Sequence, residues 1–155
     1  IYCTRQILPR MVENNYGHII NIGSVAGSYP YPGGNVYGGT KAFVSQFSLN
    51  LRADLVNKGI SVTSVEPGLA ETEFSLVRFK GDKEKASKVY EGTTYIKPED
   101  IAETIFWVAS RPKNININRI EIKKNIKSEI KIEEIKVDGY LGNYFKIKNF
   151  LYPLC

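Results

Sequence analysis

The stretch His18-Ile19-Ile20-Asn21-Ile22-Gly23-Ser24-Val25-Ala26-Gly27 is a short apolar run that stops abruptly in small residues. Such a run, bounded by turn formers, is the pattern of a buried strand. Upstream, Ile7, Leu8, Met11 and Val12 fall at helical spacing, and Asn14-Asn15-Tyr16-Gly17 closes that helix. Downstream, Gly27 to Gly34 is a loop of turn formers containing Pro30, Pro32 and Gly33-Gly34. From Asn35 to about Asn57 the apolar positions Val36, Phe43, Val44, Phe47, Leu51, Leu55 and Val56 return at helical period, and Lys58-Gly59 ends the helix. Ile60-Ser61-Val62-Thr63-Ser64-Val65 alternates as a second strand and stops at Glu66-Pro67-Gly68.

Further on the signal weakens. Residues 70–97 are polar with little periodicity and are expected to form a mobile segment. Pro98-Glu99-Asp100 opens another helix, since Pro and acids suit a first turn. That helix carries Ile101, Ile105, Phe106 and Val108 and ends near Arg111-Pro112, with Trp107 expected in the core. Residues 115–122 read as a last strand. Strands alternating with helices predict an α/β fold with a parallel sheet and right-handed crossovers.

The chain of 155 residues suffices for one domain with a real core. Its net charge of +5 is uneven: residues 1–110 hold 11 basic and 11 acidic groups, and residues 111–155 hold 10 and 5. The basic residues after Arg111 are interleaved with Ile and Glu, so a solvated face is expected there, with nucleic acid as the weaker alternative. No apolar run reaches the roughly 18 residues that span a bilayer, and no membrane partner is expected. Cys3 and Cys155 lie at opposite ends without metal-ligand spacing. Two free thiols in the cytoplasm, and no metal, are the expectation. Because Ile1 opens on what reads as the middle of a helix, the chain is expected to be part of a longer one.

In open α/β sheets the reactive groups sit beyond the carboxyl ends of the strands. Gly23-Ser24 and the segment from Pro67-Gly68 onward fall there. Between them a helix begins with Tyr37, and Lys41 follows one turn later on the same face. An ammonium beside a phenol favours the phenolate, which makes Tyr37 a candidate general acid or base. Ser24 can hold a hydroxyl or carbonyl against it if the loop folds back. A Tyr-x-x-x-Lys match alone carries little, because 10 Tyr and 15 Lys give about one by chance, and Tyr144 with Lys148 matches too. What distinguishes Tyr37 is its context: a strand ending at Ser24 thirteen residues before, and a strand ending in Pro-Gly after.

With those residues in place, the chain resembles the short-chain dehydrogenase/reductases. The resemblance rests on Asn21 to Gly27, on Tyr37-Gly38-Gly39-Thr40-Lys41-Ala42, and on Glu66-Pro67-Gly68 with Thr72, and it covers residues 1–122. Ser28 to Tyr37, Phe47 to Arg52 and Thr72 to Phe79 are also similar to the NADP-dependent 3-hydroxy acid dehydrogenases. That subgroup oxidises the β-hydroxyl of small hydroxy or amino acids such as serine and allo-threonine. The resemblance implies the second half of a Rossmann-type doubly wound sheet. It implies that Tyr37 moves the proton, Lys41 holds the nicotinamide ribose, and Ser24 positions the substrate oxygen. Cofactor contacts are implied for Asn21, Ile22, Gly23, Tyr37 and Lys41, and for Pro67, Gly68, Leu69, Ala70, Glu71, Thr72, Glu73 and Phe74, with NADP as cofactor and NAD still open. Ser24, Tyr37 and Arg78 are the expected substrate contacts, Arg78 because its fork suits a carboxylate.

The family's Gly-rich phosphate turn, its ribose selector, its Asn-Ala-Gly segment and its helix Asn all belong upstream of Ile1. The resemblance therefore implies a C-terminal portion that alone neither binds cofactor nor turns over, and a homo-oligomer for the full-length enzyme. Residues 123–155 depart from the family and stand as an atypical basic tail. Simpler readings coexist: Ser24 capping a turn, Tyr37 half-buried at a helix start, Arg78 facing solvent, Tyr29 and Tyr31 covering the core, and His18 at a strand edge. Other functions open at this point are reduction of another small carbonyl compound and a non-catalytic interaction role.

Overall fold

The computed structural model describes residues 1–125. In chain order these form α1 (Tyr2–Glu13), β1 (Gly17–Ile22), α2 (Asn35–Asp54), β2 (Ile60–Pro67), α3 (Phe74–Arg78), α4 (Lys83–Lys88), α5 (Pro98–Ala109) and β3 (Arg119–Ile122). The strands make one parallel sheet in the order β1-β2-β3, with Ile19 opposite Val62 and Val65 opposite Ile120. The α/β class and parallel pairing read from the sequence hold.

The core follows from two periodicities. Ile19 and Val62 share one face of the sheet, where Leu51 of α2 and Leu55 at its C-cap cover them. Leu8, Met11 and Val12 of α1 close the same cluster, one helical stripe against a strand pair. Along β2, Val62, Ser64 and Glu66 point to that face, and Thr63 and Val65 to the other. His18 of β1 bonds the Thr63 hydroxyl at 2.8 Å across the strands. Burial pushes its imidazole below the ordinary histidine range.

Three elements differ from expectation, each for a local reason. The last strand begins at Arg119, because the Asn116 side chain takes the backbone of Val62: its Oδ1 accepts the Val62 N–H at 3.0 Å. Residues 115–118 therefore meet β2 through the Asn116 side chain and one backbone bond, from the Ser64 N–H to the Asn118 carbonyl at 3.1 Å. Trp107 is not in the core. It is 45% exposed on α5, with the Arg111 guanidinium 4.6 Å from its ring centre. The polar segment 70–97 carries α3 and α4, the latter capped by Asp82, whose carboxylate accepts the Lys85 N–H at 3.0 Å. Among the described residues no helix is long and apolar enough to cross a membrane. The expected tail, residues 123–155, lies almost wholly outside the described residues.

Candidate active site

Ser24 follows β1 by two residues in extended backbone and is 7% exposed. Its Oγ accepts the Ala26 N–H at 3.1 Å and donates to the Pro67 carbonyl at 3.3 Å, tying the ends of β1 and β2 together. The chain then turns through a 3-10 turn, Val25–Gly27, that lies directly on α2. Glycine permits this approach. A Cβ at Gly27 would stand 2.9 Å from backbone atoms of Lys41 and Ala42, and one at Gly38 would stand 3.1 Å from the Ala26 carbonyl. This close packing sets the turn that follows Ser24 on the helix that carries Tyr37, and both side chains line one cleft.

Tyr37 and Lys41 sit in the first turns of α2, with Lys41 Nζ 5.7 Å from the Tyr37 ring centre. Lys41 donates to the Ile22 carbonyl at 2.9 Å, and burial pulls its ammonium below the usual lysine range. An ammonium carries three donors, so two remain for an acceptor-rich group such as a sugar diol. The Phe74 ring stands 5.5 Å from the Tyr37 ring, tilted by 52°. These side chains line one cleft of about 620 Å³ beyond the carboxyl ends of β1 and β2.

Most of the residues expected from sequence come together there. Ile22, Gly23, Ser24, Tyr37, Lys41, Pro67, Gly68, Leu69, Ala70, Thr72, Phe74 and Arg78 all line the cleft, as do Tyr29 and Tyr31. Arg78 is exposed at the rim, its guanidinium 5.9 Å from the Tyr31 ring centre. Asn21, Glu71 and Glu73 are not on the cleft wall. The Asn21 amide donates to Ser48 Oγ at 2.9 Å. Glu71 bonds the Tyr95 hydroxyl and holds it above the ordinary tyrosine range, and Glu73 is exposed.

The described part of the chain matches the family model for short chain dehydrogenases over residues 1–82. The chain belongs to the short-chain dehydrogenase family. Among its relatives, the NADP-dependent 3-hydroxy acid dehydrogenase of Salmonella typhi is 65% identical over 123 residues, 79% of this chain and 50% of that protein. The serine 3-dehydrogenase of Rhizobium radiobacter is 57% identical over 119 residues, 77% of this chain and 47% of that one. Among solved structures, the closed form of a serine dehydrogenase complexed with NADP+ superposes with a TM-score of 0.77 at 61% identity. It covers 78% of this chain and 49% of its own. This short-chain dehydrogenase sequence thus spans about half the length of the curated relatives it matches.

Sequence reasoning missed Ser75, Tyr90 and Ile101 on the cleft wall. Ser75 and Tyr90 lie fifteen residues apart in the polar segment, where no period marks them. It also missed the buried polar network against Gly23. Glu66, fully buried, accepts from Ser45 Oγ at 2.8 Å, Ser64 Oγ at 3.0 Å and Arg119 Nε at 2.8 Å. The run Val62–Val65 shows that β2 is buried, and a carboxylate continuing such a strand is a signal that a cation from another element must meet it. Among the described residues no group of His, Cys, Asp and Glu could hold a metal ion.

Proposed function

We propose that this chain is the catalytic and substrate-binding portion of an NADP-dependent short-chain dehydrogenase. Its substrate is the β-hydroxyl of a small 3-hydroxy acid or hydroxy amino acid such as serine or allo-threonine. The observation that carries this is the meeting of Ser24, Tyr37 and Lys41 on one cleft wall at the strand ends. The likeness to an NADP-dependent 3-hydroxy acid dehydrogenase and a serine 3-dehydrogenase supports the reaction and the cofactor class. On this reading Ser24 turns its proton from the long Pro67 contact to the substrate oxygen and holds it against Tyr37. In oxidation the Tyr37 oxygen takes the hydroxyl proton, and in reduction it returns one. The nicotinamide, when bound, accepts or supplies the hydride at the carbon bearing that oxygen. Lys41, with two free donors, holds the ribose and keeps a positive charge beside Tyr37. Phe74 covers the Tyr37 ring, and Arg78 at the rim takes the substrate carboxylate.

The pyrophosphate calls for a Gly-rich turn between a leading strand and its helix. The described residues hold none, so residues 1–155 alone bind NADP poorly. Self-association of the complete enzyme is supported by apolar residues left exposed on α2, among them Val36, Phe43 and Leu49. A cytoplasmic location is supported by the free, exposed Cys3. The test is Tyr37→Phe in the complete enzyme, which keeps the ring and removes the proton. The kcat falls by about a hundredfold or more, with NADPH affinity kept. Near-parent turnover would remove Tyr37 from the mechanism.

A further inference from the structure

We propose that Tyr90 is a positioning residue that closes the loop Ala70–Ser75 into its cofactor-facing shape, a role that rests on the functional reading above. The Tyr90 hydroxyl meets Ser75 Oγ at 2.7 Å and donates to the Ala70 carbonyl at 3.2 Å. With its one proton on Ala70, the Tyr90 oxygen accepts from Ser75. A single hydroxyl therefore joins both ends of the loop. Ser75 is 4% exposed, so its half of the clasp is shielded from water. The Tyr90 ring is braced edge-on by Tyr95, with centroids 5.5 Å apart.

The rest of the loop's anchoring is one-sided. At its neck the Ile96 N–H donates to Leu69 O and the Glu71 N–H donates to Ile96 O, both at 2.9 Å. These bonds fix the chain where it enters the loop and leave the Ser75 end to the clasp. Between the two ends lie Thr72, whose Oγ1 accepts the Phe74 N–H at 3.1 Å, and Phe74, whose ring lies against Tyr37. Tyr90 thus controls residues on the cofactor side of the cleft without any share in proton transfer. A loop that is already closed costs less to order on binding. Loss of the clasp therefore weakens cofactor affinity and leaves the chemical step alone.

The experiment compares Tyr90→Phe, Ser75→Ala and the double variant in the whole product of the gene, whatever its locus encodes before Ile1. Two quantities are read: NADPH affinity with steady-state constants, and amide hydrogen exchange at residues 71–74 without cofactor. The expected result for Tyr90→Phe is a rise of about five- to tenfold in Kd and KM for NADPH, as for the loss of one or two ordinary hydrogen bonds. The kcat stays within about twofold, exchange at 71–74 quickens, and the double variant is no worse than either single one. Unchanged exchange and Kd in Tyr90→Phe overturn the clasp, as do additive losses or a fall in kcat at constant KM. A parent protein that binds no NADPH overturns the functional reading and with it the clasp's role in cofactor binding, while the exchange data still decide whether the clasp shapes the loop.

Discussion

On the proposed reading, the charge of Arg78 separates recognition of an acid from recognition of an alcohol. Its guanidinium stands at the rim, near the rings of Tyr31 and Phe79. A charge-assisted pair with a carboxylate contributes about 1.5–3 kcal/mol. Arg78→Ala is expected to cost that much in kcat/KM for 3-hydroxy acids and almost nothing for the matching neutral alcohols. Equal losses on both would assign Arg78 to structure. His18 tests electrostatics away from the cleft. Burial lowers its folded pKa below the unfolded value, so the folded form binds fewer protons than the unfolded chain just below pH 6.5. Stability is therefore present above that range and falls as pH drops through it. Urea midpoints measured from pH 7 to pH 5 should decline less in His18→Asn than in the parent, and parallel declines would contradict the assignment. In the sequence His18 read only as a strand-edge residue, since its partner Thr63 is forty-five positions away.

At the scale of elements, the packing of the Val25–Gly27 turn on α2 fixes Ser24 relative to the helix that carries Tyr37. Gly27→Ala forces a Cβ within 2.9 Å of helix backbone, which cannot yield as a flexible side chain would. Overpacking of this kind costs about 1–3 kcal/mol. Because the displaced turn carries Ser24, turnover is expected to fall at least tenfold as well. Gly39→Ala is the matched control: nothing lies within 4 Å of its Cβ, and removing a helix glycine adds about 0.5–1 kcal/mol. Thermal unfolding of the two variants should move in opposite directions, and equal shifts would show that the close approach does not matter. Elements up to Pro67 were legible in the sequence because α1 and α2 each turn an apolar stripe towards the strands, and β1, an apolar run, and β2, an alternating one, are short and bounded by turn formers. Beyond it, regularity fails. The clasp of Ser75 and Tyr90 has no period, the Asn116 side chain takes the Val62 N–H that a strand carbonyl would accept, and Trp107 is apolar without being buried.

For the whole molecule, the two halves of the family's fold divide the work. The described chain brings Ser24, Tyr37, Lys41 and Arg78 to one cleft, which on the proposed reading is the proton-transfer and substrate side. The pyrophosphate side depends on a strand, Gly-rich turn and helix that these residues do not include. The site was legible as a set of motifs in order, and the structure adds the reason they meet: ties between strand ends and a turn packed on a helix. The measurement that reaches the central claim most directly is a transplant. The 123 residues that align with the Salmonella typhi relative replace their counterparts in that enzyme, at 65% identity. NADP-linked oxidation of a 3-hydroxy acid is then followed. The account predicts turnover within about tenfold of the parent enzyme, lost by about a hundredfold or more on Tyr37→Phe. A transplant that folds and binds NADPH but oxidises no 3-hydroxy acid would contradict it.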